Sequence, residues 1–388
     1  MSEMAEKMGL RLAEDLIKRY PSADQYPYKS WSYPQGYLLM GMAHLYKITK
    51  NKKYYDYIYD YGNTHVTEDG TVNGFTGCSM DDMMPGAVLV WLYEQTKEER
   101  FAKACHQICA SFLDYPRTRE GGFLHDRIRY PGQMWVDGVF MGQMFYCAYG
   151  KAFQKPECYE EAVGQLQLIY RYCHVHDGLL VHAYSEVDYG KENYGKENYG
   201  KENYGKDNCS GNNKPPWAGP DGRSTSVWSE GLGWYALILV ELLKTIPESM
   251  QLRKVPERYL RELLYGLKKY QNPETGLWYQ VVDKPDDGRN WCETSGSGMF
   301  LYAMANGIRL GVITKEEFEE NVRLAAKGLH TKMVPNMETG HYDIISCCNG
   351  LCVQNKEEDY YFYPQQINAQ EAVCSVLWGL GAVMEWDD

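Results

Sequence analysis

The sequence predicts an all-α chain whose helices close into an (α/α)6 barrel, a toroid of six helix pairs with short β-hairpin-like connections at one mouth. Three observations carry this reading. Apolar residues recur at spacings of three and four almost throughout, as in Leu38, Met42, Leu45 and Tyr46 and again in Trp234, Leu237, Ile238 and Leu242. A glycine turn followed by strand-like residues recurs between the helices. After those turns fall acids, a histidine and indoles, a clustering that a packed core does not need.

Taken in order, the periodicity places helices at roughly 2–20, 33–49, 52–66, 83–95, 97–115, 137–153, 156–175, 229–246, 252–270, 295–311, 314–329 and 367–386. The turn phrase between pairs reads Glu68-Asp69-Gly70-Thr71-Val72, then Glu120-Gly121-Gly122-Phe123-Leu124, His176-Asp177-Gly178-Leu179-Leu180, Glu274-Thr275-Gly276-Leu277-Trp278 and Glu338-Thr339-Gly340-His341-Tyr342. Units of this size that repeat along a chain stack into solenoids or toroids. Twelve helices in six pairs bury their stripes best by closing into one ring. The whole chain, 1–388, therefore reads as one barrel domain. Residues just after the turns, among them Trp31, Asp81, Asp137, His182, Trp228 and Trp291, are expected at one mouth. The stretch 189–208 repeats YGKEN three times and then YGKDN. Its low complexity and balanced charge suit an inserted surface loop on the rim of that mouth, whether as a simple repeat expansion or as a lid.

Composition narrows the function. The 388 residues are 44% hydrophobic, enough for a large core, and the formal net charge of -12 provides no basic field to attract nucleic acid. No apolar run reaches membrane-span length, and Met1–Leu10 carries no signal-peptide core, so a soluble cytoplasmic protein without a membrane partner is expected. The 12 cysteines suit reduced thiols. Cys347, Cys348 and Cys352 lack paired C-x-x-C spacing, so a zinc site is not expected. The 34 tyrosines and 10 tryptophans fill cores, but they also make stacking platforms for sugars.

Asp137 is the most informative residue. In Tyr130-Pro131-Gly132-Gln133-Met134-Trp135-Val136-Asp137-Gly138 it opens an apolar run at the start of a helix. An aspartate in that place is ordinarily an N-cap. Aromatic and apolar surroundings, however, also raise a carboxyl pKa and keep an acid proton available near neutrality. Asp81, in Ser79-Met80-Asp81-Asp82-Met83-Met84-Pro85-Gly86, stands at a second helix start, where capping is again the ordinary explanation. If Asp81 faces Asp137, the two charges disfavour joint ionisation.

Several separated motifs together resemble glycoside hydrolase family 105, the unsaturated rhamnogalacturonyl hydrolases, related to the family 88 unsaturated glucuronyl hydrolases. They are Met80-Asp81-Asp82 with Pro85-Gly86, Gln133-Met134-Trp135-Val136-Asp137-Gly138, Gly178-Leu179-Leu180-Val181-His182, Gly222-Arg223-Ser224-Thr225-Ser226-Val227-Trp228 with Gly231 and Gly233-Trp234, and Glu293-Thr294-Ser295-Gly296-Ser297-Gly298. The resemblance runs from about Trp31 to the last helix. It implies the same barrel and a hydrolase that removes a 4,5-unsaturated uronic acid from the non-reducing end of lyase-generated oligosaccharides. On that template Asp137 protonates C4, water adds at C5, and the product opens and releases the rest of the sugar. The resemblance assigns Asp81 to the catalytic pair and implies substrate contacts for Trp31, Tyr33, Arg127, Gln133, Trp135, His182, Arg223, Trp228 and Trp234, with no cofactor. The expected partner is an oligosaccharide, handled by a monomer or homodimer.

One position departs from the family. Where family members carry an arginine two residues after the tryptophan, close to the uronate, this chain has Glu230. A carboxylate cannot replace that cation. Either Arg127, Arg129 or Arg223 supplies the charge, or Glu230 binds hydroxyls of a differently seated sugar, or the activity differs within the fold. Alternatives to the leading reading are an inverting glycosidase or epimerase on the same barrel, or a sugar-binding torus without catalysis.

Overall fold

The computed structural model describes residues 1–27, 31–186 and 214–386, and the YGKEN repeat lies outside them. Helices are α1 (Ser2–Arg19), α2 (Tyr33–Thr49), α3 (Lys52–His65), α4 (Gly86–Thr96), α5 (Glu99–Ser111), α6 (Val136–Ala152), α7 (Pro156–Cys173), α8 (Ser229–Thr245), α9 (Lys254–Tyr270), α10 (Thr294–Arg309), α11 (Lys315–Thr331), α12 (Glu357–Tyr361) and α13 (Gln370–Val383). Each helix expected from periodicity is present. The fourth begins at Gly86 instead of 83, because Met80–Asp82 forms a 3-10 turn and Pro85 is the N-cap. The fifth stops at Ser111 instead of 115. The short α12 was not expected.

Burial sorts the helices into two layers. α8 is buried at every position from Ser229 to Leu243, and α13 at every position from Glu371 to Val383. A helix apolar all round belongs inside. α9 instead buries one stripe, Tyr259, Leu260, Leu263, Leu264 and Leu267, each leucine contributing about 1.5–3 kcal/mol. The inner helices α2, α4, α6, α8, α10 and α13 touch in that order, and α13 returns to α2. Behind them stand α3, α5, α7, α9 and α11, while α1 backs α13. This is an (α/α)6 barrel. Its axis is plugged by Tyr37, Phe140, Trp234 and Trp378, with ring centroids 4.5 Å apart for Tyr37 and Trp234 and 4.9 Å for Phe140 and Trp234. No helix among the described residues is long and apolar enough to cross a membrane.

The turn phrases form the hairpins that follow the outer helices. Gly70, Gly121, Gly178, Gly276 and Gly340 all have φ between 71° and 97°, a region that favours glycine. At Gly178 a Cβ would also lie 2.5 Å from the backbone of Leu263 in α9. After each turn the chain crosses to the mouth, where its carbonyls tie successive units together. Met80 N–H donates to His125 O (2.9 Å), Val136 to His182 O (3.0 Å), Ser229 to Gln280 O (2.9 Å) and Thr294 to Ser346 O (3.0 Å). Each donor lies at or just before an inner-helix start. This backbone belt gives an otherwise free terminal amide a partner and fixes the N-termini of α4, α6, α8 and α10 around the mouth.

Candidate active site

The inner-helix N-termini converge on a cavity of about 130 Å³ lined by Tyr33, Asp81, His125, Arg129, Tyr130, Trp135, Asp137, Met141, Trp228, Glu230, Trp234, Gly350, Leu351 and Cys352. Seven of the expected site residues meet there: Tyr33, Asp81, Trp135, Asp137, Trp228, Glu230 and Trp234.

Asp137 is the second residue of α6, and the N-cap is Trp135, which makes no side-chain cap bond. The carboxyl is therefore not spent on ordinary N-capping. Its Oδ1 is buried without a hydrogen-bond partner. Burial raises its pKa, opposed by the His125 ring and by the amides of Asp137 and Gly138. Gly138 is required beside it, since a Cβ there would come within 2.7 Å of His125 Nδ1. Asp81 is held by the 3-10 turn, its amide donating to Ser79 Oγ at 3.2 Å. Burial, and then the charges of Asp137 and Asp82, lift Asp81 to about 6 against the pull of His125 and Arg129. The charge of Asp137 thus reaches Asp81, and both acids hold protons more tightly than a free aspartate.

Indoles form the walls. Trp135 stacks on His125 at 4.2 Å with an 8° interplanar angle, and its Nε1 donates to Gln133 Oε1 at 2.9 Å. Trp228 is 2% exposed and its Nε1 lacks a partner. Trp234 faces the cavity with one edge and the core plug with the rest.

Five of the expected residues do not line the cavity. Gln133 sets the Trp135 ring from behind. Trp31 donates from Nε1 to Asp82 O at 2.9 Å and so braces the turn that carries Asp81. His182 is fully enclosed behind Trp135 and Trp228, its Nδ1 bonded to Tyr360 Oη at 2.8 Å. Burial, reinforced by His125, holds its pKa well below the ordinary value, so it is neutral. Arg127 turns away, over the Tyr115 ring and 3.7 Å from Asp114. Arg223 is tied outward to the carbonyls of His174 (3.0 Å) and Arg171 (3.4 Å). Trp291 also lies outside, donating to Tyr361 O at 3.2 Å.

Other participants had weak signals in the sequence. His125 sits four residues after Gly121, as His182 sits four after Gly178, so the repeat phase could have found it. Glu293 and Glu371 lie at the starts of α10 and α13. Glu293 caps α10 by accepting from Ser295 N and Gly296 N, both at 2.7 Å. Glu371 accepts from Tyr33 Oη. Glu230, 1% exposed, accepts from Ser295 Oγ at 2.8 Å. Burial, then Glu371 and Glu293, push its pKa well above the ordinary value. It therefore holds its proton more tightly than a free glutamic acid and stands in the cavity wall as a hydrogen-bonding group. The segment that supplies Gly350, Leu351 and Cys352 carries no periodic pattern that would place it here.

Chemically, the cavity offers three carboxyls with raised pKa, Asp81, Asp137 and Glu230, apolar faces for a ring, and orphaned polar atoms on Asp137, Trp228 and His125. A bound polar molecule would satisfy these atoms.

Comparison with known proteins shows the family and the fold. The model of Glycosyl Hydrolase Family 88 matches residues 10–385. The solved structure of a family 105 glycoside hydrolase from C. acetobutylicum superposes with a TM-score of 0.83 at 27% identity, covering 97% of this chain and 98% of that one. Protein Atu3128 of Agrobacterium fabrum is 30% identical over 199 residues, 51% of this chain and 74% of its own length. The unsaturated rhamnogalacturonyl hydrolase YesR of Bacillus subtilis is 22% identical over 286 residues, 72% of each chain.

Proposed function

Since the chain belongs to Glycosyl Hydrolase Family 88 and is a glycoside hydrolase, we propose that its mouth cavity binds the unsaturated uronic acid at the non-reducing end of a lyase-generated oligosaccharide and hydrates its C4–C5 double bond. The observation that carries this is the protonatable, unpartnered Asp137 Oδ1 in a cavity walled by three indoles. The double bond belongs to an enol ether. Asp137 gives its proton to C4, and the positive charge at C5 is shared with the ring oxygen. Water adds at C5, and the Asp137 carboxylate takes the proton that water loses. The resulting hemiketal opens, and its rearrangement releases the remaining sugar. General acid–base catalysis of this kind contributes about 10²–10⁴-fold.

Asp81 holds the ring hydroxyls and, when charged, favours the protonated state of Asp137. Trp228 Nε1 donates to a hydroxyl, while Trp135 and Trp234 pack on the sugar faces. Tyr33 and Glu230 complete the wall. Gln133, His182 and Trp31 position these groups from behind. The chain acts as one catalytic domain on an oligosaccharide. A cytoplasmic setting is supported by the free thiols of all the described cysteines.

The test is the ultraviolet absorbance of the conjugated unsaturated acid in lyase-derived disaccharides. Wild-type protein abolishes it. Asp137→Asn slows that loss by about 10²–10⁴-fold with the fold and sugar binding intact. Persistent absorbance across a panel of such disaccharides would overturn the assignment.

A further inference from the structure

The proposed substrate brings a carboxylate into a cavity already lined by Asp81, Asp137 and Glu230. An anion placed there needs a cation. Among the described cavity-lining residues Arg129 is the single lysine or arginine. Arg127, two residues earlier, points toward Tyr115 and Asp114, and Arg223 is anchored outside.

Arg129 is held for a purpose its own fold does not need. Buried Asp126 accepts from the amides of Ile128 (2.8 Å) and Arg129 (2.6 Å) with Oδ1, and from Arg129 Nε (2.6 Å) with Oδ2. One carboxylate thus fixes both the turn and the root of the guanidinium. The guanidinium rests 5.4 Å from the Tyr130 ring centre, also in the cavity wall. Among the described residues no hydrogen bond takes either terminal nitrogen. A guanidinium held by Nε with both terminal nitrogens open presents the fork that matches a carboxylate in a bidentate pair. Its closeness to Asp81 appears independently in that acid's electrostatics, where Arg129 opposes the upward shift.

We propose that Arg129 binds the carboxylate of the unsaturated uronic acid through its two terminal nitrogens. The inference rests on the uronyl hydrolase reading above and adds the determinant of selectivity for a free acid. Asp126 is the positioning residue behind it. The proposed binding cation thus sits in the turn between α5 and α6.

The experiment compares an unsaturated disaccharide with its methyl ester, which keeps the double bond and loses the charge. Wild-type protein prefers the free acid in kcat/KM. Arg129→Gln lowers kcat/KM for the acid by about 10- to 100-fold, the loss expected for a charged hydrogen-bonded contact. It leaves the ester nearly unchanged, so the acid-to-ester ratio collapses. Arg129→Lys falls between, because a point charge replaces a fork. Arg127→Gln and Arg223→Gln keep the wild-type ratio. An active wild-type protein whose ratio is the same in Arg129→Gln overturns this assignment alone. A wild-type protein inert toward both compounds overturns the hydrolase reading and this inference with it.

Discussion

The two ends of the barrel axis are built from the same six helices and carry opposite chemistry. At the mouth, inner-helix N-termini bring together Asp81, Asp137, Glu230, Glu293 and Glu371, one acid from each of five helix starts. At the other end, the last turns of α2, α6, α8 and α10 carry Lys47, Lys151, Lys244 and Arg309. Helix dipoles favour this sorting, since negative groups are stabilised at N-termini and positive ones at C-termini. The far end also holds the larger cavity, about 750 Å³ against about 130 Å³, lined in part by His44, Glu241, Lys244 and Tyr302. Size therefore does not mark the reactive end. Partners do. In the far cavity Glu241 is bonded to Tyr302 Oη and lies 3.0 Å from Lys244 Nζ, so its charge is answered within the protein. At the mouth the acid itself is unanswered at Asp137 Oδ1, as is Trp228 Nε1, whereas the unpartnered atom of the far cavity is a ring nitrogen, His44 Nδ1.

The largest effect that could break this contrast is on turnover. Asp81→Asn at the mouth is expected to lower kcat by roughly 10²-fold or more. Glu241→Gln at the far end should leave kcat unchanged in the fraction that remains folded. Steady-state kinetics on one unsaturated disaccharide decides this, and a comparable loss in both variants would erase the functional distinction.

A smaller effect concerns stability. Glu241→Gln leaves Lys244 and Tyr302 without their carboxylate and should cost about 1–3 kcal/mol in denaturant unfolding. Glu230→Gln keeps a hydrogen-bonding group opposite Ser295 Oγ and strands no cation, so its cost should be smaller.

The finest distinction is the response to pH. Burial raises the pKa values of Glu230, Glu293 and Glu371, so the folded mouth binds protons more tightly than the unfolded chain. Its contribution is complete below the ordinary carboxyl range and is lost as pH rises through the raised values. The far end has the opposite sign. Burial lowers His44 to about 4, and Glu241 is also lowered, by Lys244 and His44 against its own burial. Their contribution is complete above the unfolded values and is lost as pH falls through the lowered ones. Melting temperatures taken between about pH 4 and 8 should show Glu230→Gln flattening the alkaline decline and Glu241→Gln flattening the acid decline. Identical profiles for the two variants would mean that the ends do not differ in this way.

The sequence disclosed the barrel more completely than the mouth. Long helices announce themselves through local periodicity, and the inner ones through the near absence of polar residues. The five turn phrases are also local, because each needs a glycine with positive φ. Convergence is not local. Glu371 lies 234 residues from Asp137, and no spacing rule relates them. Arg127 and Arg129 are two residues apart, yet point to different sides because Asp126 closes a turn between them, and only coordinates reveal which one reaches the cavity. Asp81, Asp137, Trp135 and Trp228 were legible because each precedes or begins a helix after a recognisable turn. Leu351, Cys352 and Tyr360 were not, since α12 has five residues and its neighbourhood has no repeating pattern.

The carbonyl belt separates architecture from chemistry in this ring. His125, His182 and Gln280 each pass a peptide oxygen to the start of a neighbouring segment, and that connection is blind to what the side chain is. Two of these positions carry imidazole, one an amide, and the fourth of the belt, Ser346, a hydroxyl, with the same link preserved in all four. Mutation at these places can thus change a side chain in the cavity wall, at His125, or behind it, at His182, while the backbone link stays. A barrel wired in this manner can wander among substrates while its catalytic acids stay anchored.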